Sequence, residues 1–185
     1  TTAEYSGIAI REINRFTKSQ FKRSQNLFYE QQDQASEAFV SGAVRGVAIS
    51  LLKISADLRL LSSGPSAGLG EITIPAVQAG SSIMPGKINP SMPEMLSMAC
   101  LEAVGNDLTI SSAAQSGQLE LNVFMPIIAY KLLQSIEILS NAIDAFTVKC
   151  VVGIKANEKV LSAYFDASPE IAALLAPVIG YDKVA

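Results

Sequence analysis

Apolar residues return at steps of three and four in three long stretches of this chain. Between positions 38 and 61, Val44, Val47, Leu51, Ile54, Leu58 and Leu61 fall on one stripe, which predicts a core helix. Gly42 and Gly46 lie one turn apart on it, either as a point of close backbone approach or as glycines the helix tolerates at about 1 kcal/mol each. A second helix is predicted from 91 to about 114. Ser91 and Glu94 have the spacing of a capping box, with Pro93 in the first turn. Met98, Leu101, Val104 and Leu108 form the expected inner face, and Gly117 follows the end. A third helix is predicted from 123 to 152, with Ile128, Leu132, Ile136, Leu139, Ile143, Phe146 and Cys150 on its stripe. Ile127, Leu133, Ile138 and Ala142 lie off that stripe, so this helix is expected to be surrounded by others in the middle of a bundle. Shorter capped helices are expected from Asn157 and from Ser168-Pro169-Glu170. The predicted fold class is all-α, a long-helix bundle.

Between the first two helices the pattern breaks. Residues 62–93 hold 16 glycines, prolines and serines in 32 positions, which excludes a regular helix there. Loops of this length are as a rule functional or disordered. Residues 71–74 alternate in character and predict a short extended element inside the loop.

Composition narrows the setting. Hydrophobic residues make up 49% of the 185 positions against 17% charged, and the mean hydropathy of +0.32 argues against disorder. No uninterrupted apolar run reaches the roughly 18 residues a membrane span needs; the most apolar stretch, 123–139, is broken by Lys131, Gln134 and Glu137. No membrane association is expected, and burial between subunits is expected instead. A net charge of -3 and a pI near 5.0 offer no footprint for nucleic acid. Arg11, Arg15, Lys18, Lys22 and Arg23 cluster near the start and are read as a solvated helix face. Cys100 and Cys150 have no CxxC spacing, and no secretory leader is recognised, so a reducing cytoplasm is expected. With no histidine at all, acid/base chemistry must use other groups or borrow a histidine from elsewhere.

The loop also carries the chemistry. A glycine-serine-serine turn at Gly80, Ser81 and Ser82 presents successive backbone N–H groups, Lys87 adds a positive charge and Asn89 an amide donor. Such a segment can cradle an oxyanion. The run Gly80-Ser81-Ser82-Ile83-Met84-Pro85-Gly86-Lys87-Ile88-Asn89-Pro90, continuing to Glu94, resembles the GSSxMPxKxN signature of the fumarase/aspartase superfamily. The resemblance extends to Asp57-Leu58-Arg59-Leu60-Leu61-Ser62-Ser63-Gly64-Pro65, to Gly105-Asn106-Asp107, to Gly117-Gln118-Leu119-Glu120-Leu121-Asn122-Val123 and to Gly180-Tyr181-Asp182-Lys183. Only the first thirty or so residues match it poorly.

That resemblance implies a central helical-bundle domain over residues 1–152 and the start of a small C-terminal helical domain over 153–185. It implies Ser81 as the general base, acting as an alkoxide, and Ser82, Lys87 and Asn89 as groups that bind substrate. Gly80 and Gly86 would let the loop fold over and back, with Met84 and Pro85 as supporting loop positions. Glu94 fits two roles, the capping box and the glutamate that in relatives orients a histidine. No cofactor and no metal are implied. Within the superfamily, 90–94 and 117–120 resemble aspartate ammonia-lyases, whereas Val123-Phe124 and Leu69-Gly70-Glu71 are as close to fumarases. Loss of ammonia from a protonated amine needs no proton donor, which suits an acid-poor site.

The implied activity is elimination of ammonia from L-aspartate to give fumarate, with hydration of fumarate as the alternative. A third reading is an inactive helical oligomerisation fragment. Family members are longer and build each site from several subunits of a homotetramer. The chain is therefore expected to be a fragment, inactive alone.

Overall fold

The computed structural model describes residues 2–184. In chain order these form α1 (Ala3–Thr17), α2 (Leu27–Gln32), α3 (Ala35–Leu61), β1 (Ile72–Thr73), α4 (Ser91–Ala114), α5 (Met125–Lys149), a 3-10 turn (Val151–Gly153), β2 (Lys155–Ala156), α6 (Glu158–Ala167), a second 3-10 stretch (Pro169–Leu175), α7 (Ala176–Ile179) and α8 (Tyr181–Val184). The all-α expectation holds, and the long helices fall where the periodicity places them. At 1.5 Å per residue α3, α4 and α5 are about 36–41 Å long. The extended element inside the loop also exists, as β1 paired antiparallel with β2 through Ile72–Ala156 and Thr73–Lys155.

The middle helix is α4, not α5. It packs along both α3 and α5, which touch one another little. Ile127 and Leu133 of α5 are exposed, although Ala142 is buried. The expected inner face of α4 is also mostly turned outward, Val104 alone of its four residues packing against the core. Met98, Leu101 and Leu108 are 65%, 60% and 71% exposed, while Leu96, Cys100, Ala103, Ile110 and Ala113 are buried with Asn106 and Asp107. A helix apolar on two sides gives periodicity no means of choosing between them. The buried face instead combines Leu96 and Ile110 with small and hydrogen-bonded residues, which together fill the seam at close packing.

The same logic governs α3. Its fully buried residues are Ser41, Ala48 and Ser55, one heptad apart, whereas Val47 and Ile54 of the predicted stripe are exposed. Val44, Leu51 and Leu58 flank this seam and pack on the core. Within this chain the buried seam of α3 runs through the small heptad side chains, and nothing approaches Gly42 or Gly46, where an added Cβ would meet no atom within 4 Å. From α5, Leu139, Ala142 and Phe146 complete the core with Leu96, Cys100 and Ala103 of α4. Ile128 joins Ile110 and Ala113 in a second cluster toward the other end.

Polar groups cross this interface in matched sets. The Asp107 carboxylate, 6% exposed, accepts from Ser41 Oγ at 2.7 Å and pairs with Arg45 Nη1 at 2.9 Å. On the other side of α4, Asn106 Nδ2 donates to Ser135 Oγ at 3.1 Å and to Gln134 Oε1 at 3.3 Å. Buried polar groups that find partners only in one register fix how the helices align. By length and composition α3 can also cross a membrane, with a mean hydropathy of 1.4 in its most apolar window. A rule that asks for uninterrupted apolar runs passes over it. Only 17% of that window is buried by this chain, so α3 offers an apolar face to something beyond it.

Two smaller expectations change. Only Arg11 and Arg15 of the basic cluster share α1; Lys18 adopts the left-handed conformation that ends the helix (φ 54°), and Lys22 and Arg23 follow it. Ser168 caps by accepting from the Glu170 N–H at 3.2 Å, but Asn157 makes no side-chain cap to α6.

Replacing Arg45 with Met removes a partner from the buried Asp107 carboxylate. The expected loss is about 1–3 kcal/mol, held below that of a fully buried pair because Arg45 is half exposed. Urea unfolding of Arg45→Met against wild type measures it. Cys100 and Cys150 are buried free thiols whose pKa is raised by desolvation above the ordinary 9.0. The folded thiols keep their protons where the unfolded chain loses them, so their contribution to stability is intact below that value and declines as pH rises past it. Neither thiol is expected to react with a disulfide reagent at pH 8 until denaturant is added, when both should titrate.

Candidate functional site

The loop between α3 and α4 is held at its root by backbone and side-chain bonds. Gly70 N–H donates to Ser63 O at 2.8 Å and Glu71 N–H to Leu61 O at 2.9 Å, folding the chain back against the end of α3. Asn157 N–H donates to Glu71 O at 2.8 Å, Asn157 Nδ2 to Gly70 O at 3.0 Å, and the Tyr164 hydroxyl to Leu69 O at 3.1 Å. None of these partners is visible in sequence. Asn157 reads there as a helix cap because only local bonds are countable from spacing.

Beyond the root the loop closes on itself. Gly80 N–H donates to Lys87 O at 3.0 Å, and Asn89 Nδ2 donates to Gly80 O at 2.9 Å. Met84-Pro85-Gly86-Lys87 makes a tight turn, with Lys87 N–H on Met84 O at 3.2 Å and Gly86 at φ +80°. Proline followed by glycine at positive φ is the type II arrangement. The result is an open hollow of about 510 Å3 lined by 76–81 and 84–88.

Ser81 lies in this hollow, and its Oγ accepts from the backbone N–H groups of Ile83 and Met84, each at 3.3 Å. Both bonds are longer than the usual N–H···O distance and individually weak, yet they bring two N–H dipoles onto one oxygen. Lys87 also lines the hollow and is its sole charged residue. Its side chain is exposed and enters no ion pair among the described residues. The predicted residues Gly80, Ser81, Met84, Pro85, Gly86 and Lys87 are thus brought together. Ser82 is exposed on the loop and lies outside the lining. Asn89 is half-buried and spends one amide N–H bracing the Gly80 carbonyl, leaving the other for a further acceptor.

The capping box does not form. The helix begins one residue earlier than the box requires, with Pro90 at the N-cap; Ser91 N–H donates to Asn89 O at 2.8 Å and Glu94 N–H to Pro90 O at 3.1 Å. Ser91 Oγ instead accepts from Gln78 Nε2 at 3.0 Å, tying the incoming arm of the loop to α4. The Glu94 carboxylate faces Arg59 at 3.9 Å, a loose pair with both side chains about half exposed, which contributes little to stability. Gln78 gave no signal in the sequence, since its partner lies across the loop.

Known proteins resemble this chain in sequence and fold. A lyase family model matches residues 1–105. An aspartate ammonia-lyase of Helicobacter pylori is 47% identical over 182 residues, 98% of this chain and 39% of that protein. A class II fumarate hydratase of Bacillus cereus is 45% identical over 174 residues, 94% of this chain and 38% of its own length. The crystal structure of fumarate lyase:delta crystallin from Brucella melitensis in native form superposes with a TM-score of 0.91 at 45% identity, over 97% of this chain and 42% of that one. The chain spans about two fifths of the length of the curated relatives it matches. Likeness that runs through the helices and the serine loop together leaves one assignment: the chain belongs to the lyase family, within the fumarase/aspartase superfamily.

Proposed function

We propose that this chain carries the proton-abstracting loop of a lyase that eliminates ammonia from L-aspartate to give fumarate. The observation that bears most weight is the convergence of two backbone N–H groups on Ser81 Oγ, in a hollow whose sole charge is Lys87. A serine alkoxide is unfavourable in water. N–H donors and a nearby ammonium both favour the ionised oxygen, and exclusion of water strengthens both.

In this reading Ser81 Oγ takes the Cβ proton of the substrate. The electron pair left behind spreads into the adjacent carboxylate, giving a doubly negative, enolate-like intermediate. Lys87, the free N–H of Asn89 and the loop backbone hold that carboxylate, and Ser82, outside the hollow in this structure, adds its hydroxyl only as the loop folds over. When the pair collapses to form the double bond, the C–N bond breaks and ammonia leaves. Gly80 and Gly86 give the loop its closing motion, and Met84 and Pro85 shape its turn. Glu94 supports the opening of α4 beside Arg59. Hydration of fumarate is the second reading, favoured by the nearly as extensive likeness to the class II fumarate hydratase. An inactive oligomerisation segment is the third, favoured by the apolar faces that α3 and α4 leave uncovered.

Those faces also support a homotetramer, in which residues 1–152 belong to the central bundle and 153–185 open a small C-terminal domain. A cytoplasmic setting suits the two free thiols.

Assay of the full-length protein with L-aspartate and L-malate in parallel, following fumarate by ultraviolet absorbance, separates the first two readings. The Ser81→Ala variant is expected to lose about 10³-fold or more in kcat with its oligomeric state unchanged, a size in keeping with loss of a general base. Full activity in that variant excludes the loop mechanism, and inactivity of wild type on both substrates leaves the third reading.

Gly80→Ala tests the loop's closure. An added Cβ would lie 2.4 Å from Lys87 O and 3.1 Å from Asn89 N, so backbone must move. A fall in kcat of at least about tenfold is expected, with thermal unfolding nearly unchanged because the strain is confined to an exposed loop.

A further inference from the structure

Three successive carbonyls at the root of the serine loop, those of Leu69, Gly70 and Glu71, all accept from one stretch of chain nearly ninety residues later. Two of the three are met by Asn157, one by its backbone N–H and one by its side chain. The next two loop residues pair with β2, and Pro75 then packs so tightly on Gly153 that a Cβ there would lie 2.3 Å from its Cγ. At Pro75 the anchoring stops. From 76 to 88 the hydrogen bonds found among the described residues are internal to the loop, save the one from Gln78 to Ser91.

We propose that Asn157 is a positioning residue for the serine loop: by holding the carbonyls of Gly70 and Glu71 it fixes the root from which 76–79 swing the closed tip, 80–89, as one unit. This rests on the reading of that loop as the proton-abstracting element. A base that must meet a carbon-bound proton within a few tenths of an ångström needs a fixed pivot as well as a mobile tip. The internal bonds at Gly80 keep the tip rigid, and the Gln78–Ser91 contact is the bond that movement would break. Asparagine suits the root because its amide donates to one carbonyl while its own N–H reaches the next, so two adjacent peptide groups are held in one orientation. The tie also transmits any displacement of α6 directly to the arm that carries Ser81.

The experiment uses the full-length protein. Asn157→Asp is isosteric, removes the amide donor and sets a carboxylate against the Gly70 carbonyl. Amide hydrogen exchange is expected to quicken about tenfold over 69–88 while α3, α4 and α5 exchange as in wild type. In the lyase assay kcat should fall roughly ten- to a hundredfold with KM within about threefold, and the isotope effect from Cβ-deuterated substrate should rise as proton transfer becomes limiting. Tyr164→Phe, which removes the neighbouring bond from a half-exposed side chain, should shift exchange and kcat in the same direction, by about two- to fivefold. It decides the matter alone if Asn157→Asp does not fold. Wild-type exchange over 69–88, faster exchange throughout the bundle, or unchanged kcat with a loosened loop each overturns the proposal. Should Ser81→Ala retain activity, the lyase reading fails by that result, and the exchange measurement still decides whether Asn157 anchors the loop.

Discussion

A side chain at position 80 would occupy the space already taken by the carbonyl of Lys87, 2.4 Å away. That close approach lets Gly80 N–H reach Lys87 O and Asn89 reach Gly80 O, and those two bonds turn an arc of glycine, serine and proline into a closed figure. Once it is closed, Ser81 sits where the amides of Ile83 and Met84 can reach its oxygen, and Lys87 lines the same hollow. Open the figure and the serine becomes an ordinary loop hydroxyl. The positive φ of Gly86 serves the same end by turning the chain between Met84 and Lys87.

The bundle explains why so flexible a composition is tolerated. Asp107 and Asn106 leave α4 in different directions, one toward Ser41 and Arg45 of α3, the other toward Gln134 and Ser135 of α5. Slippage of either neighbour by one turn would strand a buried carboxylate or amide. Ser55, near the end of α3, bonds the Pro93 carbonyl at 2.7 Å and so fixes the start of α4 relative to α3. Since the loop begins and finishes at those two helix ends, its span is set by packing before any loop residue is considered.

Helix positions were legible in the sequence because a repeat of three and four is a local signal that needs no knowledge of partners. The buried face was legible on α5, where Ile128, Leu139 and Phe146 of the predicted stripe are buried, but not on α4. Met98, Leu101 and Leu108 carry more apolar surface than Ala103 or Ala113, and a reading by hydrophobicity chooses them; packing instead buries those alanines with Leu96 and Ile110, leaving Met98, Leu101 and Leu108 for surfaces this chain does not supply. The loop signature was legible as a run of residue types, and the structure gathers most of that run around one hollow. Ser91 and Glu94 read as a reciprocal cap, yet Pro90 takes the cap position and frees Ser91 for Gln78. The ties of Asn157 and Tyr164 to the loop were illegible for a simple reason: a hydrogen bond between residues 87 or 95 apart leaves no spacing to count.

A catalytic loop faces two opposed demands, freedom to admit substrate and constancy of geometry once closed. Chain entropy makes a uniformly flexible loop poor at the second, because every torsion between root and tip adds to the spread of the reacting atom. Dividing the loop meets both demands at small cost. Residues 69–75 are tied by backbone carbonyls to Asn157, Tyr164 and β2, residues 80–89 are tied to each other, and the four residues between them are left to bend. Ala76, Val77, Gln78 and Ala79 are all exposed, so bending there disturbs little packing. A rigid tip on a short hinge has few degrees of freedom to lose on closure, and that is what allows one serine oxygen to be brought repeatedly to the same point in space.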